Sequence, residues 1–201
     1  MPGARESLLD AASGALTRRP WSAVRMVEVA ASAGVSRQTL YNEFGSKDGI
    51  ARALVRREAD AYLAGVDRAL SGAGDTRERL TATAQWTLTA ARGSALVRAL
   101  LTGCWDARLP CVTLRPVPSS ALMPAQRRAD GPLPSPGDLV ALVRDRAVAA
   151  LSGPGASRAE AVDLARAAEL TARLALSCVA APPEGGVTEL LRTALPRNLT
   201  R

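Results

Sequence analysis

The sequence contains no histidine, a single lysine (Lys47) among 26 basic residues, and few aromatics: three Trp, two Tyr and one Phe. Without histidine, the commonest zinc ligand sets and most side-chain general-base chemistry are excluded. The three cysteines, Cys104, Cys111 and Cys178, have no metal-type spacing and read as buried thiols. There is no "GxSxG" nucleophile motif, no phosphate-cradling "GxxxxGK" and no carboxylate pair in an apolar setting, so neither an enzyme nor a metal or cofactor is expected. No apolar run approaches the roughly 20 residues of a membrane span, and "MPGARESLLDAAS" lacks the basic end and apolar stretch of a signal peptide. The expected location is the cytoplasm, at the nucleoid if the chain binds DNA.

What is present is a chain of 201 residues, 47% hydrophobic, enough for one large or two small domains with a buried core. The net charge of +7 and pI near 10.5 suggest a polyanionic partner. Residues 1–60 nevertheless hold nine basic and seven acidic side chains, a net of +2, and there is no basic tail, so charge alone leaves nucleic-acid binding open. Apolar spacing predicts helices over 4–18, 26–33, 36–44, 46–70, 76–92, 94–102, 136–151, 157–181 and 187–195, and the fold class is all-α. Glycine or proline stands at almost every junction, and Ser36 and Ser46 are placed to cap new helices. Residues 105–136 carry seven prolines, a composition that resists regular helix and predicts a long loop, with one short helical turn at most.

One window, "AASAGVSRQTLYNEFGSKDG" (Ala30 to Gly49), concentrates polar residues, a tyrosine and the lysine. Ala30 and Ala33 are small enough to let two short helices approach, and Gly34 supplies a positive φ at the corner, which is helix-turn-helix geometry. Val29, Val35, Leu40 and Phe44 point inward; Arg37, Gln38, Tyr41 and Asn42 take the outer arc of the second helix, with Thr39 and Glu43 at its edges. Arg and Gln match base edges, Thr a thymine methyl, Tyr or Ser36 a phosphate, and Lys47 is a point charge suited to phosphate. A glycine between two short helices is also common in bundles, where outward polar residues are merely solvated.

The stretch "VAASAGVSRQTLYNEFGSKDGI" resembles the N-terminal signature of the TetR family of bacterial transcription regulators, through Val29-Ala30, Ala33-Gly34-Val35-Ser36, Leu40-Tyr41, Phe44, Lys47 and Ile50. The resemblance covers about residues 5–60 by motif and the remainder by architecture. It implies a helix-turn-helix DNA-binding domain over 1–48 and a helical effector-binding and dimerisation domain over 49–201. Arg37, Gln38, Thr39 and Tyr41 then face double-stranded operator DNA and Lys47 binds its backbone; Ser36 and Asn42 join the DNA-binding candidates from their place on the outer arc. Where the family often has Thr or Ser at the start of the helix before the turn, this chain has Arg25, which either supplies a charged phosphate contact or yields the helix start to Ser22. Glu43, near the groove, accepts from cytosine, repels phosphate or faces solvent.

A helix-turn-helix monomer contacts one half-site, so a homodimer is expected. The expected interface is residues 157–181, through Ala161, Leu164, Ala165, Ala168, Ala172, Ala175 and Leu176, with 187–195 beside it; an ordinary core helix is the alternative. For a small lipophilic or aromatic effector, the scarce residues Gln85, Trp86, Arg92, Cys104, Trp105, Cys111 and Met123 are the candidate lining, with core packing as the alternative for each Trp. The proline-rich loop could close one mouth of the cavity. The function these readings lead to is a repressor released from its operator by ligand. A helical small-molecule-binding enzyme, or a protein-interaction module with a disused helix-turn-helix, stands as the competing reading.

Overall fold

The computed structural model describes residues 3–110, 133–153 and 155–196. Among the described residues the chain is helical throughout, with no strand. The helices are α1 (Ala4–Arg18), α2 (Met26–Ser32), α3 (Arg37–Phe44), α4 (Lys47–Leu70), α5 (Thr76–Gly93), α6 (Ala95–Thr102), α7 (Pro136–Leu151), α8 (Arg158–Ala180) and α9 (Gly186–Ala194), with a 3-10 turn at Trp21–Ala23. Contacts divide the chain into two compact units, Met1–Glu58 with Trp105–Leu133, and Ala59–Cys104 with Pro134–Arg201. Helix α4 therefore contributes its first half to one unit and its second half to the other, and the expected change of domain at residue 49 falls inside its first turn.

In the first unit, α1 packs on α2 and α3 around a core that includes Leu8, Leu9, Ala12, Val29, Leu40, Phe44, Ile50 and Leu54. Fully burying one such leucine contributes about 1.5–3 kcal/mol. Arg57 fastens α4 to α1: its guanidinium donates to Asp10 Oδ1 at 2.6 Å and to the Leu9 carbonyl at 3.2 Å, with Glu6 3.6 Å away. An Arg19–Glu28 ion pair ties the end of α1 to α2. The Trp21 amide donates to the Arg108 carbonyl at 2.7 Å, holding residues 105–110 on this unit.

In the second unit, α8 packs against both α7 and α5, and α9 closes on α5 and α8. Side-chain caps define the helix starts. Asp75 with Glu78, Ser135 with Asp138 and Ser157 with Glu160 each form a reciprocal capping box, and Ser94 accepts from the Val97 amide. At the far end of α9 the Arg77 guanidinium donates to the carbonyls of Arg192 at 3.4 Å and Leu195 at 2.9 Å, acceptors that a helix end leaves open, and to Pro196 just beyond at 2.5 Å.

Cys178 is buried as expected, but Cys104 is exposed. The reason is local: α6 ends at Gly103 in a left-handed conformation (φ 73°), and Cys104 follows as the chain leaves the helix. Cys111, Met123 and most of the proline-rich segment lie outside the described residues.

Candidate nucleic-acid interface

Helices α2 and α3 meet across a corner at Gly34 (φ 68°), in the left-handed region where a side chain is strained. The Val35 amide donates to the Ala30 carbonyl at 3.0 Å, closing the turn over the small residue that the sequence places there. Val29 and Ala30 are buried and Val35 is half-buried. Ser36 caps α3, its Oγ accepting from the Thr39 amide at 3.0 Å and lying 2.9 Å from Thr39 Oγ1. Leu40 and Phe44 anchor the inner face.

The outer face carries Arg37, Gln38 and Asn42 exposed, with Thr39, Tyr41 and Glu43 half-exposed. These side chains are ordered by one another. The Arg37 guanidinium lies 5.4 Å from the Tyr41 ring centroid, and Gln38 Nε2 donates to Asn42 Oδ1 at 2.9 Å. Both pairs are one helical turn apart, the spacing at which helix side chains meet. The result is a small plane of donors and acceptors on an eight-residue helix, which suits base edges better than an isolated anion.

Lys47 opens α4. Its Nζ donates to the Ser22 carbonyl at 3.2 Å and sits 5.5 Å from the Trp21 ring centroid, leaving ammonium protons for a phosphate. Partial burial holds its pKa below the ordinary lysine value, with Asp48 opposing. Helix α2 starts at Met26, with Arg25 exposed at the capping position and making no side-chain cap bond, while Ser22 lies in the preceding 3-10 turn. The helix therefore does not begin early at Ser22. The half-exposed Glu43 carboxylate is 3.8 Å from the Arg5 guanidinium. Arg5, Trp21 and the Ser22 carbonyl were not singled out by sequence reasoning, because each acts across a fold contact rather than along a helix.

Among the described residues, the effector candidates line neither of the two openings found in the second unit. Gln85 is exposed and donates to Thr188 Oγ1 at 2.9 Å. Trp86 lies flat on Gly65, where a Cβ would overlap its ring, and donates through Nε1 to the Tyr62 carbonyl at 2.9 Å. Arg92, Cys104 and Trp105 are exposed. Two openings in the second unit lie elsewhere. One is a slit too narrow for water, lined by Tyr62, Leu101, Leu139, Val140, Val143, Ala172 and Leu176. The other is an open groove of about 770 Å³ whose lining includes Leu151, Leu164, Ala167, Leu170, Glu160 and Asp163. Beside the slit, Tyr62 Oη and Thr87 Oγ1 are 3.1 Å apart, and burial raises the Tyr62 pKa above its ordinary value.

The expected interface residues Leu164, Ala168, Ala172 and Ala175 are buried in this subunit's own core, and Ala161, Ala165 and Leu176 are half-buried. Small side chains serve there to bring α8 close to its neighbours in the same chain. The outward stripe of α8 is instead Val162, Arg166, Leu170 and Arg173.

Fold and site together define an all-helical protein with an N-terminal helix-turn-helix. Residues 8–54 match the family model of bacterial regulatory proteins of the tetR family. It is 47% identical over 66 residues to the HTH-type transcriptional regulator AlkX of Mycobacterium tuberculosis, covering 33% of this chain and 31% of that one. It is 41% identical over 78 residues to the HTH-type transcriptional activator FasR of Mycolicibacterium smegmatis, covering 39% and 36%. The matched segments thus span about a third of these curated relatives. Across 98% of both chains the fold is similar to the crystal structure of the TetR family repressor AlkX from a Dietzia strain, with a TM-score of 0.56 and 24% identity.

Proposed function

We propose that the protein is a DNA-binding transcriptional regulator that represses from an operator as a homodimer and is released by a small lipophilic or aromatic ligand. The observation that carries the reading is the ordered outward arc of α3, with Arg37 against Tyr41 and Gln38 bonded to Asn42 on a helix anchored by Leu40 and Phe44. Arg37, Gln38, Thr39 and Asn42 read base edges, Tyr41 and Ser36 bond phosphate, and Lys47 and Arg25 add backbone charge.

Residues 1–48 serve DNA, and 49–201 serve effector and partner. A second copy joins through α8 and α9, with Val162 and Leu170 as apolar contacts on the outward stripe. The dimer sets two copies of α3 one helical turn apart, about 34–36 Å. Ligand in the second unit favours a conformation in which that spacing no longer fits, and the apolar slit beside Tyr62 is the site a lipophilic molecule widens. A coupling of about 1–3 kcal/mol changes operator affinity roughly 5- to 150-fold.

The test is binding to a labelled duplex from upstream of the protein's own gene, and to duplexes enriched from a random-sequence pool, titrated with salt and unrelated competitor DNA. The expected result is competitor-resistant binding that falls steeply with salt. Failure to enrich any sequence, with no binding above competitor, removes the reading.

A further inference from the structure

The polar arc of α3 ends in an acidic residue, which is unfavourable on two counts. A carboxylate at a helix C-terminus opposes the helix dipole. It also stands on the face that, in the reading above, approaches a polyanion. The chain answers both with Arg5, which lies 38 residues away on the first turn of α1. Three separate contacts converge on this one guanidinium. Its Nη1 donates to the Glu43 backbone carbonyl at 3.3 Å, one of the last four carbonyls of α3. The same Nη1 is 3.8 Å from Glu43 Oε2. Its Cζ lies 4.6 Å from the centroid of the Phe44 ring, the residue that anchors the end of α3 in the core.

We propose that Arg5 is a positioning residue for DNA recognition: it pins the C-terminal end of α3 through the Glu43 carbonyl and the Phe44 ring, and it masks the Glu43 carboxylate from the DNA backbone. The planar guanidinium suits this dual task, since it donates in its plane and stacks on its face, whereas a lysine offers a single point of contact. Arg5 thus acts through α3 and makes no DNA contact of its own. The inference rests on the DNA-binding reading for its functional half; its structural half, the pinning of α3, stands independently of DNA.

The experiment compares wild type, Arg5→Ala, Glu43→Gln and the double variant on one duplex of about 30 base pairs enriched by the wild-type protein from a random pool. Arg5→Ala is expected to weaken binding about tenfold, whereas the same change in the Glu43→Gln background weakens it no more than about threefold. The salt dependence of Arg5→Ala stays that of wild type. A tenfold loss that persists in the Glu43→Gln background, with a salt slope smaller by about 0.9, shows that Arg5 grips phosphate directly and overturns the masking role. Hydrogen exchange without DNA provides the independent arm. The amides from Leu40 to Gly45 are expected to exchange faster in Arg5→Ala than in wild type, with those of α5 unchanged, and identical exchange over Leu40–Gly45 overturns the pinning. If wild type enriches no duplex, the DNA reading fails while the exchange comparison still decides whether Arg5 holds α3.

Discussion

Gly49 offers the sharpest test of how α3 is seated. It lies inside α4, where helix propensity says that alanine should improve on glycine by about 0.5–1 kcal/mol. The structure says the opposite. A Cβ at position 49 would overlap the Phe44 carbonyl oxygen and stand 2.9 Å from the Phe44 carbonyl carbon. Those are backbone atoms at the end of α3, so no side-chain rotation relieves the clash. That same carbonyl accepts the Ser46 amide at 2.8 Å, and the Phe44 side chain is buried below it. Making room therefore means drawing α3 away from α4. Overpacking costs about 1–3 kcal/mol, and the weakened turn bond adds about 0.5–1.5, so Gly49→Ala is expected to destabilise by about 2–4 kcal/mol. For a chain of this size that lowers Tm by roughly 5–15 °C.

The control is Gly34→Ala. There a Cβ meets nothing within 4 Å, but φ is 68°, so the cost is conformational, about 1–2 kcal/mol. Gly34→Asn recovers part of that cost because asparagine tolerates the left-handed region, whereas Gly49→Asn recovers nothing. Urea denaturation of the four variants reads both mechanisms at once. A Gly49→Ala protein as stable as wild type, or more so, refutes the close approach of α4 to the end of α3.

Two further outcomes are expected. Arg37→Ala or Gln38→Ala should relax sequence preference, at about 1–3 kcal/mol per lost bidentate contact, while Lys47→Ala weakens binding to all duplexes alike and reduces the salt slope by about 0.9; selection from a random pool and salt titration separate the two kinds of loss. Tyr62→Phe should cost about 1 kcal/mol through the lost bond to Thr87. Because burial raises the Tyr62 pKa in the folded state, wild type carries a contribution that is complete below the unfolded value near 10 and is lost as pH rises beyond it. The stability difference between wild type and Tyr62→Phe should thus shrink above about pH 10, and a difference that grows there contradicts the burial of the hydroxyl.

Helix boundaries were legible in the sequence because the signals that set them are local. Ser36, Ser46, Ser94 and Ser157 each accept a backbone amide three residues on, and Gly34 takes the positive φ that the corner requires. The outward arc of α3 followed from the same arithmetic of helical spacing. What the pattern left out is contact between distant segments. An alanine stripe reads alike whether it packs in its own subunit or against another, and in α8 the structure places Ala168 and Ala175 in the subunit core. A scarce tryptophan suggests a ligand wall, yet Trp86 fills the space over Gly65, a glycine 21 positions earlier that nothing in the pattern links to it. Arg5 and Glu43 lie farther apart still.

Those distant pairs also bear on the weak charge of the N-terminal segment, whose net of +2 over 60 residues is small for a polyanion partner. Binding depends on where charge is uncompensated, not on its sum. Of the seven acids, Glu6 and Asp10 lie on Arg57, Glu28 on Arg19 and Glu43 on Arg5. Arg37 and Lys47, by contrast, rest over the rings of Tyr41 and Trp21, with Asp48 beside Lys47. An aromatic face orders a cation without cancelling its charge. Four of the seven acids are thus paired with arginines that hold helices together, whereas Arg37 on the outward arc of α3 is set on a ring. Exposing one of these acids should therefore matter most nearest that arc, so disruption of the Arg5–Glu43 pair is expected to register in duplex binding and loss of Arg57 chiefly in stability.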